Sequence, residues 1–215
     1  MDEKLSLICI FKELDSTNEF LENFILAKRD YPIKPVLLFA REQRKGKGRG
    51  GKSFYSPKGG IYFSILLPDF LPETTLPLKV GLFFAKKLKS KFKIPVKVKW
   101  PNDLIIDGKK FGGILIEGKG SFGIVGVGIN LERDPSRFIK EKEITFLNKY
   151  LKKSLKVPEF YGLIENWVGK GFFRFIKKSF NLKDWERYSY FKKGDLLTWE
   201  EGGKKREGIY QGLTE

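Results

Sequence analysis

Histidine is absent from all 215 residues. That removes Ser-His-Asp and Cys-His nucleophilic catalysis, zinc motifs built on paired histidines, and any imidazole proton shuttle. Cysteine is nearly absent too: the single Cys9 sits in the apolar run Leu7-Ile8-Cys9-Ile10-Phe11. One thiol excludes an intramolecular disulfide framework, fits a reducing cytoplasm and reads as a buried structural residue. Long apolar runs are missing. The start, Met1-Asp2-Glu3-Lys4, leads into a short apolar run broken by Lys12 and Glu13, so neither a signal peptide nor a membrane span is expected. Acid is scarce, with 26 Asp and Glu against 42 Lys and Arg, a formal net charge of +16. Such a balance invites a nucleic-acid partner. The cations are spread over Lys86–Lys93, Lys97, Lys99, Lys152–Lys156 and Lys204–Arg206, which favours a solvated surface over a binding stripe.

What is present is apolar bulk and one unusual loop. A 41% apolar share with 20 Phe and 4 Trp suffices for a real core. Between the strand-like runs Val36–Ala40 and Ile61–Leu67 lies Arg41 to Lys52, with six cationic side chains, four glycines and Glu42 as its only acid. Glycine lets backbone approach a ligand closely, and exposed N–H groups beside Lys and Arg suit phosphate or carboxylate oxygens. The spacing matches neither the P-loop nor the dinucleotide fingerprint. A solvated basic loop and an anion-binding loop both remain open at this point. Phe54 and Tyr55, just after it, read either as core or as cover for a flat ligand.

Leu5–Leu14 is strand-like, and Ser16 with Glu19 three residues later is a capping box opening a helix with Phe20, Leu21, Phe24 and Ile25 on its apolar face. Ser16, Thr17 and Asn18 at that junction also form a hydrogen-bonding cup. Leu78–Phe92 reads as a second helix. Val96–Trp100, Leu104–Ile106, Lys109–Glu117 and Phe122–Ile129 form a meander with an Asp107-Gly108 turn. Gly112 and Gly113 within a strand predict a close approach of another chain or ligand. Helices are predicted over Ser136–Lys153 and Pro158–Phe180. Two short strands near Gly194–Trp199 and Arg206–Gln211 complete the chain.

Asp15-Ser16-Thr17-Asn18, the loop from Gln43 through Gly46–Gly51 to Ser56-Pro57, Lys99–Leu104 with Lys110–Leu115, and Gly126-Val127-Gly128-Ile129-Asn130 occur in that order. Together they resemble the catalytic domain of biotin protein ligases, the biotin–[acetyl-CoA-carboxylase] ligases. The resemblance covers residues 15–130. It implies an α+β fold of the class II synthetase-like type: a mixed, largely antiparallel sheet flanked by helices, over residues 1–182. A small SH3-like β module, apparently truncated, would occupy 183–215. It implies activation of biotin by ATP and Mg²⁺ to biotinyl-5′-AMP, then transfer to a lysine of a biotin carboxyl carrier protein. The metal would be held by the ATP phosphates.

Carried over by position, Ser16, Thr17, Asn18, Gln43, Gly46, Lys47, Gly48, Arg49, Lys110, Gly112 and Gly113 would contact biotin. Lys52, Phe54, Tyr55, Asn102 and Asn130 would contact the nucleotide, and Lys110, Arg49 and Asp103 would serve catalysis. Lys47, Lys52 and Phe54 depart from the Arg, Arg and Trp common in the family, and Lys keeps charge without the bidentate fork of Arg. Fifteen residues before Ser16 cannot hold a helix-turn-helix, so specific DNA binding is not expected; a homodimer stays open. The rival lipoate reading requires a His-Asp segment that a chain without histidine cannot carry. A nucleic-acid module would want aromatic residues interleaved with the cations, and none precedes Phe54.

Overall fold

The computed structural model describes residues 4–27, 34–70, 72–139 and 143–213. Its centre is one seven-stranded sheet. β1 (Leu7–Phe11) runs parallel to β2 (Val36–Ala40), and the two are connected through helix α1 (Thr17–Ala27). All other neighbours are antiparallel: β3 (Gly60–Leu67), β7 (Phe122–Asn130), β6 (Lys109–Lys119), β5 (Asp103–Ile106) and β4 (Lys97–Lys99). Across the sheet the order is β1-β2-β3-β7-β6-β5-β4, so the chain crosses from β3 to the far edge through α2 (Leu76–Phe92). The expected mixed, largely antiparallel sheet flanked by helices is therefore present.

Side-chain alternation divides this sheet into two unequal interiors. Leu37, Phe39, Ile61, Phe63, Ile65, Val125, Val127 and Ile129 point into the main core, against α2 and α3 (Val157–Trp167). Val36, Leu38, Leu66 and Ile124 point the other way, onto Leu21 and Ile25 of α1. Covered on both faces, β2 and β3 are buried along their whole length, which is why they read as unbroken apolar runs. Aromatic rings knit the main core: Phe63 and Phe84 meet edge-on at 5.6 Å, Phe83 and Phe172 at 5.2 Å. Truncating a ring as enclosed as Phe84 would cost roughly 3–5 kcal/mol.

Several elements differ from the sequence-based expectation. Cys9 is only half-buried, because β1 is an edge strand with Leu7, Ile8 and Ile10 exposed. The capping box is made on one arm only: Glu19 N–H donates to Ser16 Oγ at 3.4 Å, while the Glu19 carboxylate turns to Lys47 at 3.2 Å. Instead of a helix over 136–153, the described residues give 3₁₀ turns at Pro135–Arg137 and Leu147–Tyr150; residues 140–142 lie outside the description. Between these turns Ile144 bridges Lys110 of β6, with Lys110 N–H donating to Glu143 O at 2.8 Å.

The long helix predicted from Pro158 widens into a π turn at Val168–Phe172, where Gly169 and Gly171 weaken the helical preference, and resumes as α4 (Phe173–Ile176). A further helix, α5 (Leu182–Tyr188), is capped by Asn181, whose Oδ1 accepts from Asp184 N–H at 2.9 Å. Trp185 of α5 is buried in the main core and donates its indole N–H to Tyr210 OH at 3.1 Å. That bond ties the core to a small two-stranded sheet of β8 (Leu196–Glu201) and β9 (Lys204–Ile209). Among the described residues no helix is long and apolar enough to cross a membrane.

Candidate active site

Where α1 ends its cover of the sheet, the exposed face carries Gly113 on β6 and Gly126 and Gly128 on β7. Without side chains there, a cavity of about 560 Å³ opens along the strand backbone, lined also by Asn18 and Phe54. The glycines are required by close neighbours: a Cβ on Gly128 would sit 2.5 Å from the Phe54 ring, and one on Gly126 would sit 2.3 Å from Asn18 Oδ1. The slot is flat because the pleated backbone is its floor.

One end of the cavity is polar. Ser16, Thr17 and Asn18 are all buried at the N-terminal end of α1, where the aligned peptide dipoles add partial positive charge. Gln43 completes this end, its Oε1 accepting from Thr17 N–H at 2.8 Å and lying 3.0 Å from Thr17 Oγ1. Gln43 Nε2 donates to Ser56 Oγ at 2.9 Å, and the Ser56 hydroxyl donates to Phe54 O at 2.8 Å. Ser64, fully buried on β3, places its hydroxyl 2.7 Å from Thr17 Oγ1 and 2.6 Å from Asn18 Oδ1.

The basic loop forms the cover. It is tied to the β1–α1 junction by backbone bonds from Arg44 N–H to Leu14 O (2.9 Å) and Lys45 N–H to Asp15 O (2.8 Å). Asp15 adds ion pairs to Lys45 at 2.9 Å and Arg44 at 2.7 Å, and these hydrogen-bonded cations hold its carboxyl below the usual value of 3.8. Beyond this anchor the loop folds back on itself, Gly48 N–H donating to Lys52 O at 2.6 Å. Gly50 and Gly51, at φ 66° and 75°, make the reversal in the left-handed region that other residues avoid. Arg49 thereby sits over the exposed Trp100 ring, 6.0 Å from its centroid. Lys47, Gly48, Arg49, Lys52 and Phe54 all line the cavity.

The opposite end carries charge. Lys110 Nζ pairs with Asp103 Oδ1 at 2.7 Å, β5 and β6 being neighbouring strands. Asn102 holds the preceding turn: its Nδ2 donates to Ile114 O at 2.8 Å and its carbonyl accepts from Ile114 N–H at 2.9 Å. The arrangement thus offers a hydrogen-bonding cup, a flat slot, and a cationic end under a cationic flap. That suits a ligand with a polar head, an apolar body and an anionic tail, next to a second anion.

Of the residues singled out from sequence, thirteen line this one cavity: Ser16, Thr17, Asn18, Gln43, Lys47, Gly48, Arg49, Lys52, Phe54, Asn102, Asp103, Lys110 and Gly113. Four do not. Gly46 shapes the loop from behind, since a Cβ there would meet Phe54 O at 2.4 Å. Gly112 faces the other side of β6, against Gly128 O. Tyr55 turns outward from Phe54 and meets Phe138 at 5.7 Å. Asn130 lies beyond the Phe54-covered Gly128, donating to Thr145 O at 3.1 Å. Ser64, Trp100 and Glu117, which hydrogen-bonds Asn18, were not singled out for the site. Ser64 had a signal, as the one serine in an apolar strand.

The sequence pattern of the Biotin/lipoate A/B protein ligase family matches residues 10–132, more than half the chain. The chain belongs to this family. Among solved structures, the biotin protein ligase from Aquifex aeolicus in complex with biotin and ATP is similar at a TM-score of 0.79 and 30% identity. That similarity covers 98% of this chain and 89% of that one. Among curated proteins, the bifunctional ligase/repressor BirA of Escherichia coli K12 is 33% identical over 135 residues. The biotin–[acetyl-CoA-carboxylase] ligase of Paracoccus denitrificans is 32% identical over 108. These two matches cover 58% and 46% of this family member but only 40% and 45% of the relatives, so the chain spans less than half of their length.

Proposed function

We propose that this chain is a biotin protein ligase that joins biotin to ATP as biotinyl-5′-AMP, with release of pyrophosphate. It then passes the biotinyl group to a lysine of a biotin carboxyl carrier protein. The observation that carries this reading is the single cavity with the Ser16–Asn18 cup at one end and Lys110 at the other. The Aquifex aeolicus ligase, similar over almost the whole chain, is a structure with biotin and ATP bound.

In the first step a biotin carboxylate oxygen attacks the α-phosphorus of ATP, and the bond to the bridging oxygen breaks to free pyrophosphate. Two anions must approach, so cations have to offset their repulsion and the charge that builds on the α-phosphate. Lys110 is assigned that task, with Lys47, Arg49 and Lys52 of the flap. Among the described residues no three acidic or cysteine side chains converge on a possible ion. Mg²⁺ enters with ATP as MgATP, held by the nucleotide phosphates. In the second step the acceptor amine attacks the acyl carbon, an amide forms and AMP leaves; Asp103 is assigned the task of orienting the amine and taking its proton. The Arg49–Trp100 contact would hold the flap closed over the adenylate and keep water from it.

The deciding experiment supplies the protein with MgATP and measures pyrophosphate release with biotin, with lipoate and with neither. Biotin-dependent release that lipoate does not support is expected. Release that ignores biotin, or lipoate working equally well, would overturn the assignment.

A further inference from the structure

Glu117 lies at the end of the apolar run of β6 and reaches across to α1. Its Oε2 accepts a 2.6 Å hydrogen bond from Asn18 Nδ2, a contact between residues 99 positions apart. Asn18 is 3% exposed, and its other amide atom, Oδ1, lies 2.6 Å from the buried Ser64 hydroxyl. From Ser64 the chain of contacts continues to Thr17 and Gln43. Nothing in the proposed reaction uses Glu117, yet it ends a polar network that forms the head of the cavity.

A carboxylate can only accept hydrogen bonds, whereas a primary amide has a donor end and an acceptor end. Beside Glu117, Asn18 must turn its NH₂ to the carboxylate, so its carbonyl faces Ser64 and the Gly126 wall. The opposite orientation would set carbonyl against carboxylate, a costly arrangement in a partly buried site. Once Asn18 presents an oxygen, the Ser64 hydrogen is drawn to it. Ser64 and Thr17 then spend their hydroxyl hydrogens within the network, and the Thr17 hydroxyl and Asn18 carbonyl oxygens keep lone pairs to spare. Ser16 differs: its oxygen accepts from Glu19 N–H, and its own hydrogen stays available. The head of the cavity therefore turns the Thr17 and Asn18 oxygens toward a ligand as acceptors, beside the Ser16 hydroxyl as a donor.

We propose that Glu117 is a positioning residue that fixes the Asn18 amide and so makes the cup select a ring bearing N–H donors around a carbonyl. A sulfur-only ring leaves those oxygens unpaired and is rejected. Glu117 touches no substrate and acts through Asn18. This inference rests on the biotin reading above.

The test compares Glu117→Gln, whose amide can face Asn18 with either end, with a swap of the two groups. Glu117→Gln is expected to raise the KM for biotin about ten-fold, the scale of one hydrogen bond to a charged group. The kcat of pyrophosphate release and the KM for ATP should stay within about two-fold. Asn18→Asp sets two carboxylates face to face and should raise the biotin KM further. Combining it with Glu117→Gln restores one carboxylate and one amide, with an acceptor again facing Ser64, and should bring the biotin KM back to within about three-fold of the parent. An unchanged biotin KM in Glu117→Gln, or no recovery in the double variant, overturns the inference; the swap decides it even if Glu117→Gln alone folds poorly. A parent protein without biotin-dependent pyrophosphate release removes the functional reading and this inference together. An active parent with an indifferent Glu117 removes only the inference.

Discussion

Lys110 Nζ lies 2.7 Å from Asp103 Oδ1, and the two side chains keep 29% and 25% of their surfaces open to solvent. The pair stands at the charged end of the cavity, so an incoming carboxylate and phosphate compete with Asp103 for Lys110. On the proposed reaction, release of Asp103 from its partner would free a carboxylate for the acceptor amine. Lys110→Met should therefore lower pyrophosphate release about 10²–10³-fold, the scale of losing one transition-state donor. Asp103→Asn should leave that step within about ten-fold and slow transfer from preformed adenylate much more. Single-turnover assays of each half-reaction separate the two, and equal losses in both would reduce Asp103 to a mere holder of Lys110.

Arg49 over Trp100 links the tip of the flap to the turn between β4 and β5, beside the Lys47–Glu19 ion pair nearer its base. A cation over an indole contributes about 0.5–1 kcal/mol at an exposed site, so its loss raises the open fraction several-fold. Arg49→Gly and Trp100→Ala are both expected to leak adenylate and to biotinylate bystander proteins several-fold more than the parent. The readout is free biotinyl-5′-AMP and label on an unrelated lysine-rich protein. Leakage no greater than the parent's in both variants would mean that the loop is not a lid.

Gly126 and Gly128 let Asn18 and Phe54 lie against the strand, and a methyl on either would push those cavity-lining side chains into the slot. Gly128→Ala is expected to raise the biotin dissociation constant at least ten-fold by calorimetry. Overpacking should also cost about 1–3 kcal/mol, seen as a lower melting temperature. Gly162→Ala, on α3 with open space around it, is the control and should leave ligand binding unchanged.

Asp15 is held below its usual pKa by Lys45 and Arg44, so the folded state favours its charged form. Its contribution is complete above the ordinary value of 3.8 and fades as pH falls through the lower folded value. Asp15→Asn should melt below the parent at neutral pH, and the gap should close on acidification through that range. Because the pair is exposed, added salt should shrink the gap as well. A gap that widens in acid would contradict the ion-pair account.

The strands and first two helices were legible because alternation and turn signals agree: Asp107 and Gly108 do adopt positive φ, 50° and 69°. The stretch from Pro135 was misread because Phe138, Ile144, Leu147 and Leu151 imitate helical spacing. Ile144 instead pairs with Lys110, a long-range bond that no local pattern announces. Asn181 with Asp184 three positions later was an available cap signal for α5, masked by expecting one long helix before it. At the site, composition singles out the loop but leaves its role open, and the resemblance assigns its residues to the cavity. Tyr55 was not separable from Phe54, since only the folded chain decides which of two adjacent rings turns inward. Glu117 lay beyond reach because its partner, Asn18, is remote in sequence.

The bare floor under Gly126 and Gly128 has one more consequence. A pocket walled by side chains can widen when a rotamer turns, but this one is bounded below by a ladder bonded on both sides to β3 and β6. Its lower limit is set by interstrand geometry, and the side chains over it that can turn are Phe54 at Gly128 and Asn18 at Gly126. Tolerance for a thicker ring would have to come from those side chains or from lifting the flap, so substrate analogues bulky across the ring plane should trade tight binding for premature escape.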